Sequence, residues 1–169
     1  MTDKLGLTFG ILIAHFIPGL ISFLSLIASS YSLDEIECFI TNNSTFAMIL
    51  GALLSLACGL SLDSIRYLLT VVPKLSKSYK LWSEVDPSTA DEDSRKYFDW
   101  VIEHHFRFHQ FYGNLSLALV FSAIVLHVNK TTLCNLWPLY LLSIICALAA
   151  LVTYHTTITQ LKKRFFEKL

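Results

Sequence analysis

Glu103-His104-His105-Phe106-Arg107-Phe108-His109-Gln110-Phe111-Tyr112-Gly113-Asn114 gathers three of the chain's six histidines, one arginine, two amides and four aromatic side chains within twelve residues. On a helix, His105, His109 and Tyr112 share a face, and Glu103 pairs with Arg107 at i,i+4. Three chemistries fit this grouping. His105 and His109 have the spacing of a zinc-binding pair, with Glu103 or His104 to complete the ligands, although the further His-rich boxes of a membrane di-iron hydroxylase are missing. In a homo-oligomer, His104, His105, His109 and Arg107 would instead form a cationic ring gated by Phe108, Phe111 and Tyr112, with Asn114 just inside the membrane and anions favoured. The same side chains also suit an aromatic and basic belt at the headgroups. All three readings stay open at this level, and no catalytic residue or cofactor is implied.

The elements that position these residues follow from composition. The chain has 169 residues, 54% hydrophobic and 15% charged, and a mean hydropathy of +0.55. Soluble domains carry about 25% charged residues, so this chain lacks the polar surface to cover itself in water. Four apolar stretches are long enough to span a bilayer: Leu5 to Ile27, Phe46 to Val72, Phe111 to Val128, and Leu136 to Thr159. The first is too long for a signal peptide and its flank holds only Lys4, so it is expected to remain as a span. The fold class is thus all-α, a single integral membrane domain over 1–169.

Lysine and arginine orient the bundle. With four spans, Lys4, Arg66, Lys74, Lys77, Lys80, Arg95, Lys96, Arg107, Lys162, Lys163, Arg164 and Lys168 fall on one side, and Lys130 alone falls on the other. The positive-inside rule then puts both termini and the 73–110 segment in the cytoplasm. The zero net charge excludes a generally basic nucleic-acid binder and conceals this asymmetry. The outer loops carry the sequons at Asn42, Asn43 and Asn129, together with Cys38 and Cys134, which either bridge in an oxidising compartment or stay free. Cys58 and Cys146, in mid-span, read as packing residues.

A helix is expected to start at Ser88, with Asp91 at the capping-box position. If it runs unbroken to Val128 it is 41 residues long, about 60 Å, and extends the third span into the cytoplasm. Tyr97, Val101, His104, Phe108, Phe111, Leu115, Ala118, Ser122 and Val125 then form a 4-3-4-3 seam that a second helix or a second copy should cover. Lys74, Lys77, Lys80, Arg95 and Lys96 are candidates to contact an anionic signal or lipid headgroups.

Polar groups also sit inside the apolar stretches. His15 falls near mid-depth beside Pro18, which removes the donor for the Ala14 carbonyl and bends the helix; an ionisable residue there is a functional candidate. Gly51, Ser55 and Gly59 at four-residue spacing permit close helix approach. Asp63 and Arg66 pair with each other or with Arg107 and Glu103, and sequence does not choose. Thr153 and Thr157, in line with Ala149 and Gln160, suit either a hydrated pore wall or packing in which threonines bond their own helix.

Ile17-Pro18-Gly19, the small-residue second span and the His104 to Asn114 motif together resemble small four-span bacterial membrane proteins of anti-phage defence, in particular the effector of Hailong-type nucleotidyltransferase systems. The Kiwa membrane subunit is a second such likeness. The resemblance implies a homo-oligomer, a tetramer, in the bacterial inner membrane. It would conduct ions and depolarise the cell on infection, under control of an oligonucleotide signal at the cytoplasmic face. It carries over no catalytic residue. The alternatives are a small metal-dependent membrane enzyme using Glu103, His105 and His109, and an anchor or sensor subunit for a cytoplasmic partner protein that docks on residues 73–110.

Overall fold

The computed structural model describes residues 2–71, 92–101, 107–128 and 136–165. All regular structure among them is helical: α1 (Thr2–Ser30), α2 (Leu33–Asn42), α3 (Ser44–Val71), α4 (Glu92–Val101), α5 (Arg107–Val128) and α6 (Trp137–Phe165). Four of these contain apolar stretches long enough to cross a membrane, at Leu12–Ser30, Ser44–Leu69, Arg107–Val128 and Trp137–Leu161. The third begins a turn earlier than the first apolar residue of its run, which draws Arg107, Phe108 and His109 into the spanning helix. The expected unbroken helix from Ser88 is seen as its two parts, α4 and α5. Its cap at Ser88, its junction at 102–106, and Lys74, Lys77, Lys80, Glu103, His104, His105, Asn129 and Cys134 lie outside the described residues.

Helix α1 packs antiparallel to α3, α5 packs antiparallel to α6, and α1 runs parallel to α5 and joins the two pairs. The start of α1 and the end of α6 therefore lie at the same end of the bundle. α4 lies on α6 at that end, and α2 lies against α3 at the other. The α1–α3 contact is set by two glycines. A Cβ on Gly19 would overlap the Ser55 carbonyl, and one on Gly59 would overlap the His15 carbonyl. Only the missing side chains let the two backbones touch, as small residues do between membrane helices.

Large side chains face outward and small ones inward, as expected where lipid and not water surrounds the bundle. Leu53, Phe121, Ile144 and Leu148 are exposed, whereas Ala14, Ala118, Ala123, Cys146 and Ala150 are buried. Part of the expected seam lies inside the chain: Val101 is buried on α4, and Ala118 and Ser122 lie on the buried face of α5 with His109, Asn114, Leu119, Ala123 and Leu126. Its aromatic part stays on the surface of the single chain, with Phe108 52% exposed and Phe111 half-buried.

The loop between the first two spans contains a helix that hydropathy alone does not suggest. Ser32 caps α2: its hydroxyl accepts from the Glu35 N–H at 3.3 Å, and its own N–H donates to Glu35 Oε2 at 2.8 Å. This reciprocal pair is the capping box. The Ser32 N–H and hydroxyl hold the Glu35 carboxyl below its usual range, so the cap is complete at neutral pH and is lost as pH falls through that lowered value. Amide exchange at Ser32, whose N–H donates to the Glu35 carboxylate, is expected to accelerate on acidification relative to the intrinsic rate, and Glu35→Gln is expected to flatten that response. Equal responses of the two chains would show that the cap is not ionic.

Candidate functional site

All four spanning helices contribute to one buried polar network. Asp63 and Arg66, one turn apart on α3, form an ion pair in which Arg66 Nη2 and Nε donate to Asp63 Oδ1 at 2.7 and 3.1 Å. Arg66 Nε also donates to Asn114 Oδ1 on α5 at 3.1 Å. Gly113 makes this reach available, because a Cβ there would press on the Arg66 stem. Asn114 Nδ2 in turn donates to Asp63 Oδ1 at 3.2 Å and to the Ala14 carbonyl on α1 at 3.1 Å. That carbonyl is the one deprived of its helical partner by Pro18, so the amide on α5 replaces the missing N–H of α1. The proline and the asparagine, 96 residues apart in sequence, complete one hydrogen bond.

His109 closes the network on its other side. Its Nδ1 lies 2.9 Å from the Ala150 carbonyl on α6. A carbonyl only accepts, so Nδ1 carries the hydrogen, and in the neutral ring Nε2 is then an acceptor. Arg66 Nη1 stands 3.3 Å from that Nε2 and donates to it. The ring also lies against Tyr154, with centroids 5.1 Å apart. His15 approaches from α1, its Nε2 3.7 Å from Asp63 Oδ2, an electrostatic contact too long for a hydrogen bond. Asp63 thus has its Oδ1 bonded to arginine and amide and its Oδ2 facing a histidine, with Arg66, His15, His109 and Asn114 all buried.

Asn114 stands seven residues into its span, about 10 Å by helical rise, so the network occupies the half of the bundle nearer the chain termini. His15 shares that level, short of the mid-depth its sequence position suggests. Of the residues singled out in the sequence, the structure brings together His15, His109 and Asn114. Arg107 lies over Gly10 on α1. Phe108 stacks on Tyr112, which also meets Phe111 edge-on at 5.4 Å, on the outward side. Thr157 is fully buried and bonds the Thr153 carbonyl, while Thr153 bonds those of Ala149 and Ala150; their hydroxyls are turned to their own helix. Lys96 pairs with Glu92 at 2.7 Å on the exposed face of α4, where Arg95 is also exposed.

His109 does not fit the metal-site alternative, because both its ring nitrogens are engaged by protein groups. Among the described residues no cluster of three or more histidine, cysteine or acidic side chains could hold a metal ion. Two central members, Asp63 and Arg66, were expected to pair either with each other or with Arg107 and Glu103, and they pair with each other, but no functional role was given to them. The signal for them was present: they are the first charges met on leaving the uncharged run that ends at Leu62, and each is expensive to bury without a partner. A second tie, the Ser116 and Ser143 hydroxyls 3.1 Å apart between α5 and α6, carried no comparable mark. No protein family, curated protein or solved structure matches this chain.

Asn114→Ala is expected to destabilise the bundle by about 1–3 kcal/mol, the usual result of leaving buried hydrogen-bonding groups unsatisfied. In a Pro18→Ala chain, where the Ala14 carbonyl regains a helical donor, the same change should cost measurably less. Unfolding titrations in mixed micelles give both values. Identical costs in the two backgrounds would dissociate Asn114 from the proline.

Proposed function

We propose that the protein is a homo-oligomeric, ion-conducting membrane effector, with both termini in the cytoplasm, whose intramembrane network holds the conducting path closed. The observation that carries this reading is a buried Arg66 paired with a half-buried Asp63 within the spanning region, in contact with two histidines from other helices. Ionisable side chains at such depth are costly and mark ion or proton pathways. The 12 to 1 distribution of lysine and arginine supports the orientation. The likeness to four-span defence effectors supports a tetramer that depolarises the cell on infection, triggered from the cytoplasmic side.

In this mechanism Arg66 is the latch. From α3 it reaches Asn114 and His109 on α5 and, through His109, the Ala150 carbonyl on α6. Neutral His109 accepts from Arg66. A protonated His109 would carry N–H on both nitrogens and face the guanidinium donor with a donor of its own, which breaks the contact and adds charge repulsion.

Purified protein in liposomes, followed with a potential-sensitive dye under a potassium gradient, tests the reading. Flux is expected to be low from the native chain and to rise several-fold in Arg66→Ala and in His109→Phe, which removes the Arg66 contact and the tie to Ala150. Absence of K⁺, Na⁺ and Cl⁻ flux from all three chains, with the protein still oligomeric, would remove the channel reading.

A further inference from the structure

Helix α2 takes no part in the polar network, and none of its residues is buried. At about 100° per residue, Leu33, Ile36, Phe39 and Ile40 fall within an arc of about 120°. Asp34, Glu37, Cys38, Thr41 and Asn42 occupy the opposite side. Leu33, at 82% exposure, Phe39 and Ile40 are all exposed. An apolar face of this kind needs a cover, and three observations say what supplies it.

The first is register. His15 meets Gly59, Gly19 meets Ser55, and Phe23 meets Gly51; continued outward, this antiparallel pairing brings Ser30, the end of α1, level with Ser44, the start of α3. A ten-residue helix, about 15 Å long, joins two points at the same height and must run across the bundle end, in the plane of the membrane surface. The second is level. Tyr31, Trp137 and Tyr140 are exposed at this end, where tyrosine and tryptophan mark the lipid–water boundary. The third is continuity. Exposed Leu24, Leu26, Phe46, Met48 and Ile49 on the adjoining turns of α1 and α3 carry the apolar outer surface of the spans up to the level at which α2 lies against α3.

We infer that α2 is an interfacial helix, seated in the membrane surface at the end opposite the termini, with its apolar side in the headgroup–acyl boundary and its acidic side in water. Its partner is lipid. α2 has three acidic residues and no lysine or arginine, so apolar burial, not attraction to anionic headgroups, holds it in place. The inference is independent of the channel reading.

Thiol accessibility in phosphatidylcholine proteoliposomes tests it, with a permanently charged methanethiosulfonate present on both sides of the membrane. In a Cys134→Ser chain, native Cys38 on the polar side is expected to react rapidly, while Cys58 and Cys146 lie within spans. In a Cys38→Ser, Cys134→Ser background, Asp34→Cys and Thr41→Cys should react about tenfold faster than Leu33→Cys, Ile36→Cys and Ile40→Cys, because a charged reagent is disfavoured below the headgroups. The ratio should persist when phosphatidylglycerol is added. Equal rates on both sides would place α2 in water and overturn the inference. Oxidative cross-links between copies at Ile36→Cys or Ile40→Cys would assign the face to a second chain and overturn it equally. An unreactive Cys38 overturns it with no substitution in α2 at all.

Discussion

Arg66→Ala is expected to cost about 3 kcal/mol of bundle stability, the lower end of the range seen when one member of a buried ion pair is removed, because Asp63 is part-exposed and keeps its bond from Asn114. Three partners lose their donor together: the Asp63 carboxylate, Asn114 Oδ1 and His109 Nε2. The penalty is dominated by the abandoned carboxylate. Asp63→Asn in the same chain should therefore return a large part of the loss, although no contact is restored. A double-mutant cycle over the two positions, read from unfolding in mixed micelles, gives the coupling. Additive losses would show that the pair is not energetically joined. Loss of Arg66 should also leave the conductance open at neutral pH if Arg66 is the latch, a separate measurement from stability.

The second large effect is at the α1–α3 crossing. Gly59→Val places three carbon atoms where the His15 backbone carbonyl lies, and backbone cannot rotate away as a flexible side chain can. Overpacking of a tight interface costs about 1–3 kcal/mol; here the displacement also draws His15 from Asp63 and the Ala14 carbonyl from Asn114, so the loss should reach the top of that range or pass it. Gly51→Ala is the control, since a Cβ there meets only Phe23, at 3.8 Å, and should be close to neutral. Equal tolerance of Gly59→Val and Gly51→Ala would contradict the crossing geometry.

How far these features were legible in the sequence depends on the physics behind each signal. The four spans are long runs of low polarity, a property of composition that survives any detail of packing. The vacant Ala14 carbonyl was legible because proline's missing hydrogen is a local covalent fact. Its donor was not, because pairing with Asn114 depends on the parallel register of α1 and α5, which no local pattern encodes. The same holds for Arg66, whose choice among Asp63, Glu103 and more distant partners is fixed only when the helices meet. Of the expected seam, Val101, Ala118 and Ser122 are buried within the chain and Phe108 is on its surface; heptad spacing marks the stripe and not which helix or copy covers it. α2 was passed over as a short loop, although Ser32 and Glu35 have the spacing of a capping box.

The spacing of Asp63 and Arg66 on a single helix also bears on how the protein is made. Asn114 and His109 belong to a segment synthesised some fifty residues later, so the second span enters the bilayer before its tertiary partners exist. An arginine entering alone carries an insertion penalty of about 2.5–3.5 kcal/mol at the helix centre. With the aspartate one turn away, the span arrives already neutralised by its own sequence and waits in lipid for the third helix. Assembly then has a built-in order, in which the N-terminal hairpin is a viable intermediate and the amide of Asn114 is the group that completes it.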